Sequence, residues 1–136
     1  MIRDYKAEDG VEMLKQIEVD CPVEWCREAE GEGRAFSIIY DGKLVCCAGV
    51  MHKLEGIGIA WALYPPDIGN YHIDPRLAMD KLLEIKNKFN YRRVEATVRV
   101  DFPAGAKYLE WMGFKHEGRM KMYEPDKTDA YLYART

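Results

Sequence analysis

The residues best suited to do chemistry lie between positions 61 and 88. This segment predicts an apolar strand that ends near Tyr64, then a loop that opens with two prolines, then an amphipathic helix. Asp74 and Pro75 mark the start of the helix, because Asp caps free N–H groups and Pro suits the first helical position. A strand that leads through a loop into a helix N-terminus favours a phosphate there. The segment therefore predicts an anion site.

The composition of the whole chain limits what this site can serve. The 136 residues carry a formal net charge of −3 and 48% of them are apolar, which is ordinary for a folded domain. We therefore expect a single domain over residues 1–136, with no nucleic-acid partner. No apolar run reaches the length of about 18 residues that a membrane-spanning helix needs. The N-terminus is charged from Arg3 onward. These features predict a cytoplasmic protein without a membrane partner.

The spacing of cysteines and histidines predicts no metal site. The four cysteines are Cys21, Cys26, Cys46 and Cys47. They form no C-x-x-C pair, and the three scattered histidines share no ligand spacing with them. We expect the cysteines to be small buried side chains of a protein from a reducing compartment.

The hydrophobic pattern predicts a mixed arrangement of strands and helices. Asp41-Gly42 predicts a two-residue hairpin turn, since a type I′ turn needs positive φ at both central positions. The strand–helix–strand unit around the candidate site implies a parallel strand pair and a right-handed crossover. Strands are predicted at Ile2–Tyr5, Ala35–Tyr40, Lys43–Met51, Ile57–Tyr64, Val94–Val100, Lys115–Glu124 and Asp129–Ala134. Helices are predicted at Glu8–Glu18, Pro22–Ala29, from Asp74-Pro75 onward, and at Ala104–Met112.

This order of elements, over nearly the full chain, resembles that of the GNAT superfamily, the GCN5-related N-acetyltransferases. The segment IRDYKAEDGVEMLKQI resembles the family's opening strand and acidic helix start, and AKYLEWMGFKHEG resembles its penultimate helix and following strand. Tyr131-Leu132-Tyr133 resembles its closing strand. The resemblance implies an α+β fold (α/β three-layer) with a mixed, mostly antiparallel sheet of six to seven strands. About four helices and a central parallel strand pair complete it.

The sequence departs from the family pattern at two places. The family's pyrophosphate loop usually reads Gln/Arg-x-x-Gly-x-Gly/Ala, whereas Pro66–Ile73 carries a single glycine, Gly69, and no leading Arg. The family's penultimate helix usually carries an Asn near its start and a Tyr four residues before the Gly-Phe. This chain has Phe102 and Leu109 at those places, with Tyr108 one residue away. The departures lie at the loop that the family uses for the pyrophosphate and at the helix that carries its Tyr.

Small phage-encoded GNAT-like proteins, including internal virion proteins of short-tailed phages, depart from the pattern in a similar way. Trp61, Lys81-Leu82 and the Lys-Tyr-Leu that precedes Gly113 are similar to that subset. This second resemblance implies a phage-encoded protein that could be associated with the virion.

In the family, as the resemblance implies, an amine attacks the thioester of acetyl-CoA directly. A backbone N–H at the end of the central strand would stabilise the oxyanion, and N–H groups of the following loop would cradle the diphosphate. Gly69 and Asn70 can adopt left-handed conformations in such a loop, and Arg76 could offset the charge of Asp67 and Asp74. The predicted acetyl-CoA-binding residues are Ala60, Trp61, Ala62, Leu63, Ile68, Gly69, Asn70, Tyr71, His72, Ile73 and Arg76.

Proton transfer in such a reaction needs a base for the incoming ammonium and an acid for the leaving thiolate. The resemblance implies a Tyr acid, and Tyr108 could take this role if its helix is rotated. The candidate bases are Glu95, His52, Asp101 and Glu55. A water chain could replace a dedicated base, and Glu95 could instead form a simple ion pair with Arg99 on the same strand face.

Three functional hypotheses follow. The first is an N-acetyltransferase that transfers an acetyl group from acetyl-CoA to an unidentified amine, which would enter near Trp25 and the last hairpin. The second is a catalytically inactive GNAT-shaped protein that serves as a phage virion or interaction component. The third is an unrelated regulatory α+β binding domain. Continuous pairing of Ala60–Leu63 with Val94–Val98 would exclude the first, because it would leave no groove for the pantetheine arm.

A protein partner or a homodimer is a further expectation, carried by the aromatic content. Tyr and Trp are enriched at protein interfaces and also suit the rim of a core, so both interpretations stay open. Tyr123, Tyr131 and Tyr133 in the last hairpin are predicted to form a contact stripe.

Overall fold

The structure is a computed structural model that describes residues 1–18 and 23–136. Its strands are β1 (Ile2–Asp4), β2 (Ala35–Tyr40), β3 (Lys43–Leu54), β4 (Ile57–Leu63), β5 (Arg93–Arg99), β6 (Lys115–Met120) and β7 (Ala130–Arg135). Its helices are α1 (Ala7–Gln16), α2 (Val23–Glu32), α3 (Pro75–Lys88) and α4 (Pro103–Trp111). The strands form one sheet in the order β1-β2-β3-β4-β5-β7-β6. Strands β4 and β5 pair in parallel, whereas β2 pairs with β1 and β3, and β7 with β5 and β6, in antiparallel fashion. The predicted fold class is confirmed.

The chain divides into two compact units. The first unit comprises Met1–Met51 and Trp61–Ile73, and the second comprises His52–Ala60 and Asp74–Thr136. The core of the first unit is built on Tyr5, Met13 and Cys47, with partly buried apolar side chains packed against them. Those side chains are Ile17, Ala29, Ala35, Leu44, Trp61 and Leu63.

The second unit buries one face of α3 and one face of β5. The predicted amphipathic character of this helix is confirmed, since Ala78, Leu82 and Ile85 recur at helical spacing and are buried. On β5, the buried side chains are Val94, Ala96 and Val98, as the alternation of that strand predicts. Helix α4 packs closely on this buried face, because a Cβ added to Gly105 would lie 2.9 Å from Val98 Cγ2.

Local turn and cap signals in the sequence are confirmed. Asp41 and Gly42 both have positive φ (49° and 76°), as a type I′ hairpin requires. Gly113 follows α4 with φ 86°, a left-handed conformation that ends the helix. The Asp74 carboxylate accepts the N–H of Arg76 at 2.9 Å and so caps α3.

Several predicted boundaries shift. Strand β3 runs to Leu54 rather than Met51, so the turn that follows it shrinks to Glu55-Gly56. Strand β6 ends at Met120 rather than Glu124. The cause is local, because Met122 has φ 54° and donates its N–H to the Asp129 carboxylate.

Helix α1 begins at Ala7 and ends at Gln16, although the sequence offers no good capping residue before it. Asp9 supplies the cap from inside the first turn, since its carboxylate accepts the N–H of Lys6 at 3.0 Å. Helix α2 is observed over Val23–Glu32 and extends past the predicted end at Ala29. Its predicted start at Pro22, like Cys21, lies outside the described residues.

The other three cysteines, Cys26, Cys46 and Cys47, are buried, as predicted. Burial raises the pKa of the Cys46 and Cys47 thiols to about 12, so both stay protonated. They therefore act as small apolar side chains rather than as nucleophiles.

Candidate functional site

The parallel pairing of β4 and β5 is short. It consists of the pairs Ile57–Arg93, Gly58–Val94 and Ile59–Glu95. Within the part of the chain that the structure describes, the register ends there, before Ala60 and Ala96, although β4 continues to Leu63. The parallel pairing of β4 with β5 is therefore not continuous along both strands. The main-chain groups of Ala60, the next residue of β4, are not part of this parallel register.

The Trp61 side chain anchors the end of β4 in the core of the first unit. Its ring meets the Trp25 ring edge-on at 4.9 Å between centroids and the Tyr5 ring at 6.0 Å. Such edge-to-face pairs hold aromatic side chains in defined orientations. Because side chains alternate along a strand, Ala62 faces the other way and is exposed. Trp61 and Trp25 are thus packing residues, and any ligand contact from Trp61 would come from its main chain.

The loop after β4 is more closed on itself than predicted. It contains a short 3₁₀ turn at Ile68–Asn70. Four of its N–H groups are already bonded within the loop: those of Ile68, Asn70, Tyr71 and Ile73 donate to Pro65, Asp67, Ile68 and Tyr71 carbonyls, respectively, at 2.9 to 3.1 Å. The prediction of a cradle made from all N–H groups of residues 68–73 is therefore corrected.

Of the six N–H groups of residues 68–73, two are left for a ligand. Those of Gly69 and His72 take part in none of the hydrogen bonds found among the described residues. A Cβ added to Gly69 would meet nothing within 4 Å, so the space beside it is open. Neither Gly69 nor Asn70 is among the described residues with positive φ, so the expected left-handed conformations are absent at these two positions. The loop fits a phosphate group with two donors rather than six.

Arg76 offsets one of the two acidic charges named in the prediction, that of Asp74. Its guanidinium donates to the Asp74 carboxylate, with Nη2 2.8 Å from Oδ2, and its side chain is 80% exposed. These hydrogen bonds hold the pKa of Asp74 below its ordinary value. Arg76 and Asp74 thus satisfy one another at the start of α3.

A cation outside the predicted site residues contacts the loop. Lys43 Nζ donates to the Tyr71 hydroxyl at 3.0 Å and lies 5.6 Å from the centroid of the Tyr71 ring. The Tyr40 ring meets the same ring edge-on at 5.4 Å. The hairpin turn at Asp41-Gly42 places Tyr40 and Lys43 side by side, but no local pattern indicates which loop they touch.

Glu95, a predicted base, lies in a network of charges. It accepts from Lys53 Nζ at 2.8 Å and from Arg93 Nε at 2.8 Å, and Arg93 also pairs with Glu117. The hydrogen bonds from Lys53 and then Arg93 lower the pKa of Glu95, which weakens it as a base. The expected ion pair with Arg99 is wrong, because Arg99 pairs with Asp101 and Asp126 instead.

His52 and Tyr108 lie on the side of the sheet opposite Glu95. Lys53 reaches Glu95, and its neighbour His52 points to the other face of β3 because side chains alternate along a strand. There, His52 Nδ1 lies within hydrogen-bond distance (3.4 Å) of the Tyr91 hydroxyl. Tyr108 is half-buried on α4, which packs on the Val98 face of β5, away from Glu95. The predicted catalytic residues therefore do not form one cluster.

The remaining predicted bases and the aromatic stripe are accounted for by other contacts. Asp101 pairs with Arg99 at 2.9 Å, and the exposed Glu55 offers its main-chain carbonyl to Arg92. Tyr133 is buried and donates to Glu110 at 3.1 Å, whereas Tyr123 is 53% exposed and lies beyond the end of β6. The predicted stripe of three tyrosines is therefore wrong.

Residues 1–18 and 23–136 contain no group of three or more His, Cys, Asp or Glu side chains placed to hold a metal ion. In the same part of the chain, no helix is both long enough and apolar enough to cross a bilayer.

Comparison with solved structures identifies the fold. The acetyltransferase of the GNAT family from Streptococcus pneumoniae is 15% identical and has a TM-score of 0.79, with 99% of this chain and 97% of that chain covered. Ard1 from Thermoplasma volcanium is 15% identical with a TM-score of 0.80, covering 99% and 95% of the two chains. The ribosomal-protein-alanine N-acetyltransferase from Brucella melitensis is 14% identical with a TM-score of 0.79, covering 99% and 98%.

No protein-family model matches the sequence, and no curated protein matches it either. The likeness to solved structures therefore carries the comparison by itself. The chain has the fold of the GNAT acetyltransferases.

Proposed function

We propose that this protein is an N-acetyltransferase that transfers an acetyl group from acetyl-CoA to an amine. The observation that carries the proposal is the early end of the β4–β5 register at Ile59 and Glu95 within a GNAT fold. Strand main chain released from a ladder can donate N–H groups to a ligand. The residues Ala60–Leu63 then serve as donors to the thioester carbonyl, a role that needs no particular side chain.

In the proposed reaction the amine nitrogen bonds to the acetyl carbonyl carbon, and the bond from that carbon to sulfur breaks. A proton leaves the attacking nitrogen, and the departing thiolate takes up a proton. Acetyl-CoA supplies the activated acyl group, and the chain supplies binding and proton transfer. The N–H groups of Gly69 and His72 hold a phosphate group of the donor, where the loop geometry leaves both available.

Among the candidate bases, we favour His52 over Glu95. Glu95 is held by two cations, and its lowered pKa makes it a weak proton acceptor. His52 is exposed, and its contact with the Tyr91 hydroxyl through Nδ1 leaves Nε2 for proton exchange. Tyr108 is the proposed acid, because it is the residue beside Leu109, where the family pattern places a Tyr. In each of the single variants His52→Gln and Tyr108→Phe, the fold-decrease in kcat should exceed the fold-increase in the Kd for acetyl-CoA.

The acceptor belongs to the class of amines. Structures of similar fold include a ribosomal-protein-alanine N-acetyltransferase and a spermidine N-acetyltransferase from Vibrio cholerae. An N-terminal alanine peptide and spermidine are therefore the first two acceptors to screen. A cytoplasmic location is part of the proposal, and a phage origin with virion association belongs to the inactive alternative.

Calorimetric titration with acetyl-CoA tests the proposal. Gly69→Pro removes an available N–H group, and Gly69→Ala is the matched control, since it keeps the N–H and its Cβ would meet nothing within 4 Å. We expect micromolar binding to the natural protein and to Gly69→Ala, and at least tenfold weaker binding to Gly69→Pro. ATP serves as a control ligand without the pantetheine arm.

Absence of binding at millimolar acetyl-CoA would overturn the proposal. It would favour the alternative of a catalytically inactive GNAT-shaped protein that acts through a protein partner, a homodimer or a phage virion. The self-bonded loop and the missing Arg of its motif are the observations that support this alternative. If Gly69→Pro and the natural protein bind acetyl-CoA equally, the proposal that the protein binds acetyl-CoA stands. Gly69 is then not one of the residues that bind it.

A further inference from the structure

The loop that follows β4 is short of positive charge. Residues 64–75 contain no Lys and no Arg, while Asp67 and Asp74 contribute two carboxylates. Arg76, next in the chain, is paired with Asp74 through Nε and Nη2, so its charge is already balanced by that carboxylate. Of residues 68–73, two N–H groups would have to hold a phosphate group beside the unbalanced carboxylate of Asp67. A cation from elsewhere in the first unit is therefore needed at the loop.

Lys43 is the cation that the fold brings to this loop. Tyr40 and Lys43 are paired across the two-residue turn of the β2–β3 hairpin, so their side chains lie next to each other. Both touch Tyr71: the Tyr40 ring packs edge-on against it, and Lys43 donates to its hydroxyl at 3.0 Å. Tyr71 in turn lies between Gly69 and His72, whose N–H groups are the available ones among residues 68–73.

The arrangement keeps Lys43 charged and accessible. The hydrogen bond to Tyr71, with a smaller contribution from Asp67, raises the pKa of the Lys43 ammonium. The side chain is exposed, and an ammonium has three donors, of which Tyr71 occupies one. Two donors remain to be directed at an anion beside the loop.

We propose that Lys43 binds a phosphate group of the acyl donor, with Tyr71 as the residue that positions it. This inference rests on the proposed function and adds a residue from the β2–β3 hairpin to the donor site. The hairpin thereby replaces the charge that the loop lacks. Lys43 acts as a point charge with a hydrogen bond, in the way that lysines hold phosphate in other proteins.

The test is a binding titration of CoA, dephospho-CoA and acetyl-pantetheine against four variants. Lys43→Met removes the charge, Lys43→Arg keeps it, and Tyr71→Phe removes only the hydroxyl that positions the ammonium. Lys115→Met, at an exposed position on β6, is the control for the loss of one surface charge. We expect Lys43→Met to weaken CoA binding by about fivefold, a size typical of a partly exposed charge-assisted hydrogen bond.

The affinity of Lys43→Arg for CoA should stay within about twofold of that of the natural protein. The affinity of Tyr71→Phe should lie between those of Lys43→Arg and Lys43→Met, because this variant keeps the charge and loses only its positioning. Acetyl-pantetheine, which has no phosphate, should bind equally to all four variants and to the natural protein. An effect of Lys43→Met that persists with dephospho-CoA assigns Lys43 to the diphosphate. An effect that disappears with dephospho-CoA assigns it to the 3′-phosphate.

Three results would overturn the inference, and they can be told apart. If the natural protein binds CoA and Lys43→Met binds it equally, Lys43 is not a phosphate ligand and the proposed function stands. If Lys43→Met weakens acetyl-pantetheine as much as CoA, the residue acts through the shape of the loop. If the natural protein binds none of the ligands, both the proposed function and this inference are wrong.

Discussion

Two carboxylate–arginine clusters, one in each unit of the chain, use the same chemistry in different surroundings. In the first unit, Asp9 accepts hydrogen bonds from the Arg3 guanidinium, the Ser37 hydroxyl and the Lys6 N–H. In the second, Arg99 donates to Asp101, Asp126 and Thr128. The two arginines are similarly exposed, at 36% and 38%, but the Asp9 side chain is 10% exposed and that of Asp126 is 56% exposed. The clusters differ in where the carboxylate lies.

This difference determines what each cluster contributes. Water can replace the partners of Asp126, so a pair of this kind adds little to stability. Water cannot reach Asp9 or the fully buried Ser37 in the same way, so a lost partner there leaves a polar group unsatisfied. Asp9 also caps α1 and joins it to β1 through Arg3 and to β2 through Ser37. The buried cluster fixes the fold of the first unit, and the exposed one orders a turn.

Replacing Asp9 by Ala should have the largest effect on stability. The change leaves the Ser37 hydroxyl, the Arg3 guanidinium and the Lys6 N–H without their acceptor, so we expect a loss of about 3 kcal/mol in the free energy of unfolding. Urea unfolding followed by circular dichroism measures it. A loss below about 1 kcal/mol would contradict the importance of burial at this site.

Replacing Gly10 by Ala tests how closely α1 packs beside this cluster. A Cβ at Gly10 would lie 2.2 Å from the Tyr5 hydroxyl and 2.9 Å from Cys26 Sγ. Tyr5 cannot move aside at low cost, because it is buried and its hydroxyl donates to the Cys26 carbonyl. Overpacking should exceed the gain in helix propensity and destabilise the protein by about 1 to 2 kcal/mol.

The matched control is Gly31→Ala in α2, where a Cβ would meet nothing within 4 Å. Gly31→Ala should leave the free energy of unfolding unchanged or raise it slightly, since the position is exposed and only the helix propensity changes. Equal unfolding midpoints for the two variants would show that α1 can move away from Tyr5 and that the packing is looser than the distances indicate.

The pH dependence of stability should separate the charge of Asp9 from its shape. Burial raises the pKa of Asp9, but the hydrogen bonds from Arg3, Ser37 and Lys6 outweigh it and hold the pKa below the ordinary value of 3.8. A carboxyl whose pKa is lower in the folded state stabilises the protein above its unfolded pKa. That contribution is lost as the pH falls through the folded pKa.

The natural protein should therefore be more stable than Asp9→Asn at pH 7, and the difference should shrink below pH 3.8. Denaturant titrations of both proteins at matched ionic strength, from pH 7 down to the acid limit of folding, measure the difference. A difference that stays constant over this range would mean that Asp9 acts through its shape and not through its charge.

Features of the fold that depend on neighbouring residues were predictable from the sequence. The Asp41-Gly42 turn, the Asp74 cap and the stop at Gly113 each need only a few adjacent side chains, and each is confirmed. The order of strands and helices was also predictable, because hydrophobic periodicity reflects burial.

The candidate site was less predictable, because its contacts join distant parts of the chain. Arg99 was a candidate partner of Glu95 on the same strand, but Glu95 pairs with Arg93 on that strand and with Lys53, 42 residues away. Lys43 reaches Tyr71 across 28 residues. Four N–H groups of the loop donate to carbonyls of the same loop. These hydrogen bonds depend on a 3₁₀ turn that the sequence of the loop does not indicate. Partner choice of this kind follows from tertiary structure.

The smallest effect is expected in the exposed cluster, at Asp126. Replacing Asp126 by Ala removes the acceptor for Arg99 and for the N–H of Thr128, yet water can reach all of these groups. Arg99 also keeps its bonds to Asp101. We therefore expect the urea midpoint to stay within measurement error of the natural protein. Amide hydrogen exchange should quicken only in the turn after β6, where Thr128 N–H loses its acceptor.

High salt should leave the Asp9→Ala loss largely intact, since buried pairs are screened less than exposed ones. A destabilisation by Asp126→Ala as large as that of Asp9→Ala would mean that connectivity, and not burial, sets the worth of these clusters.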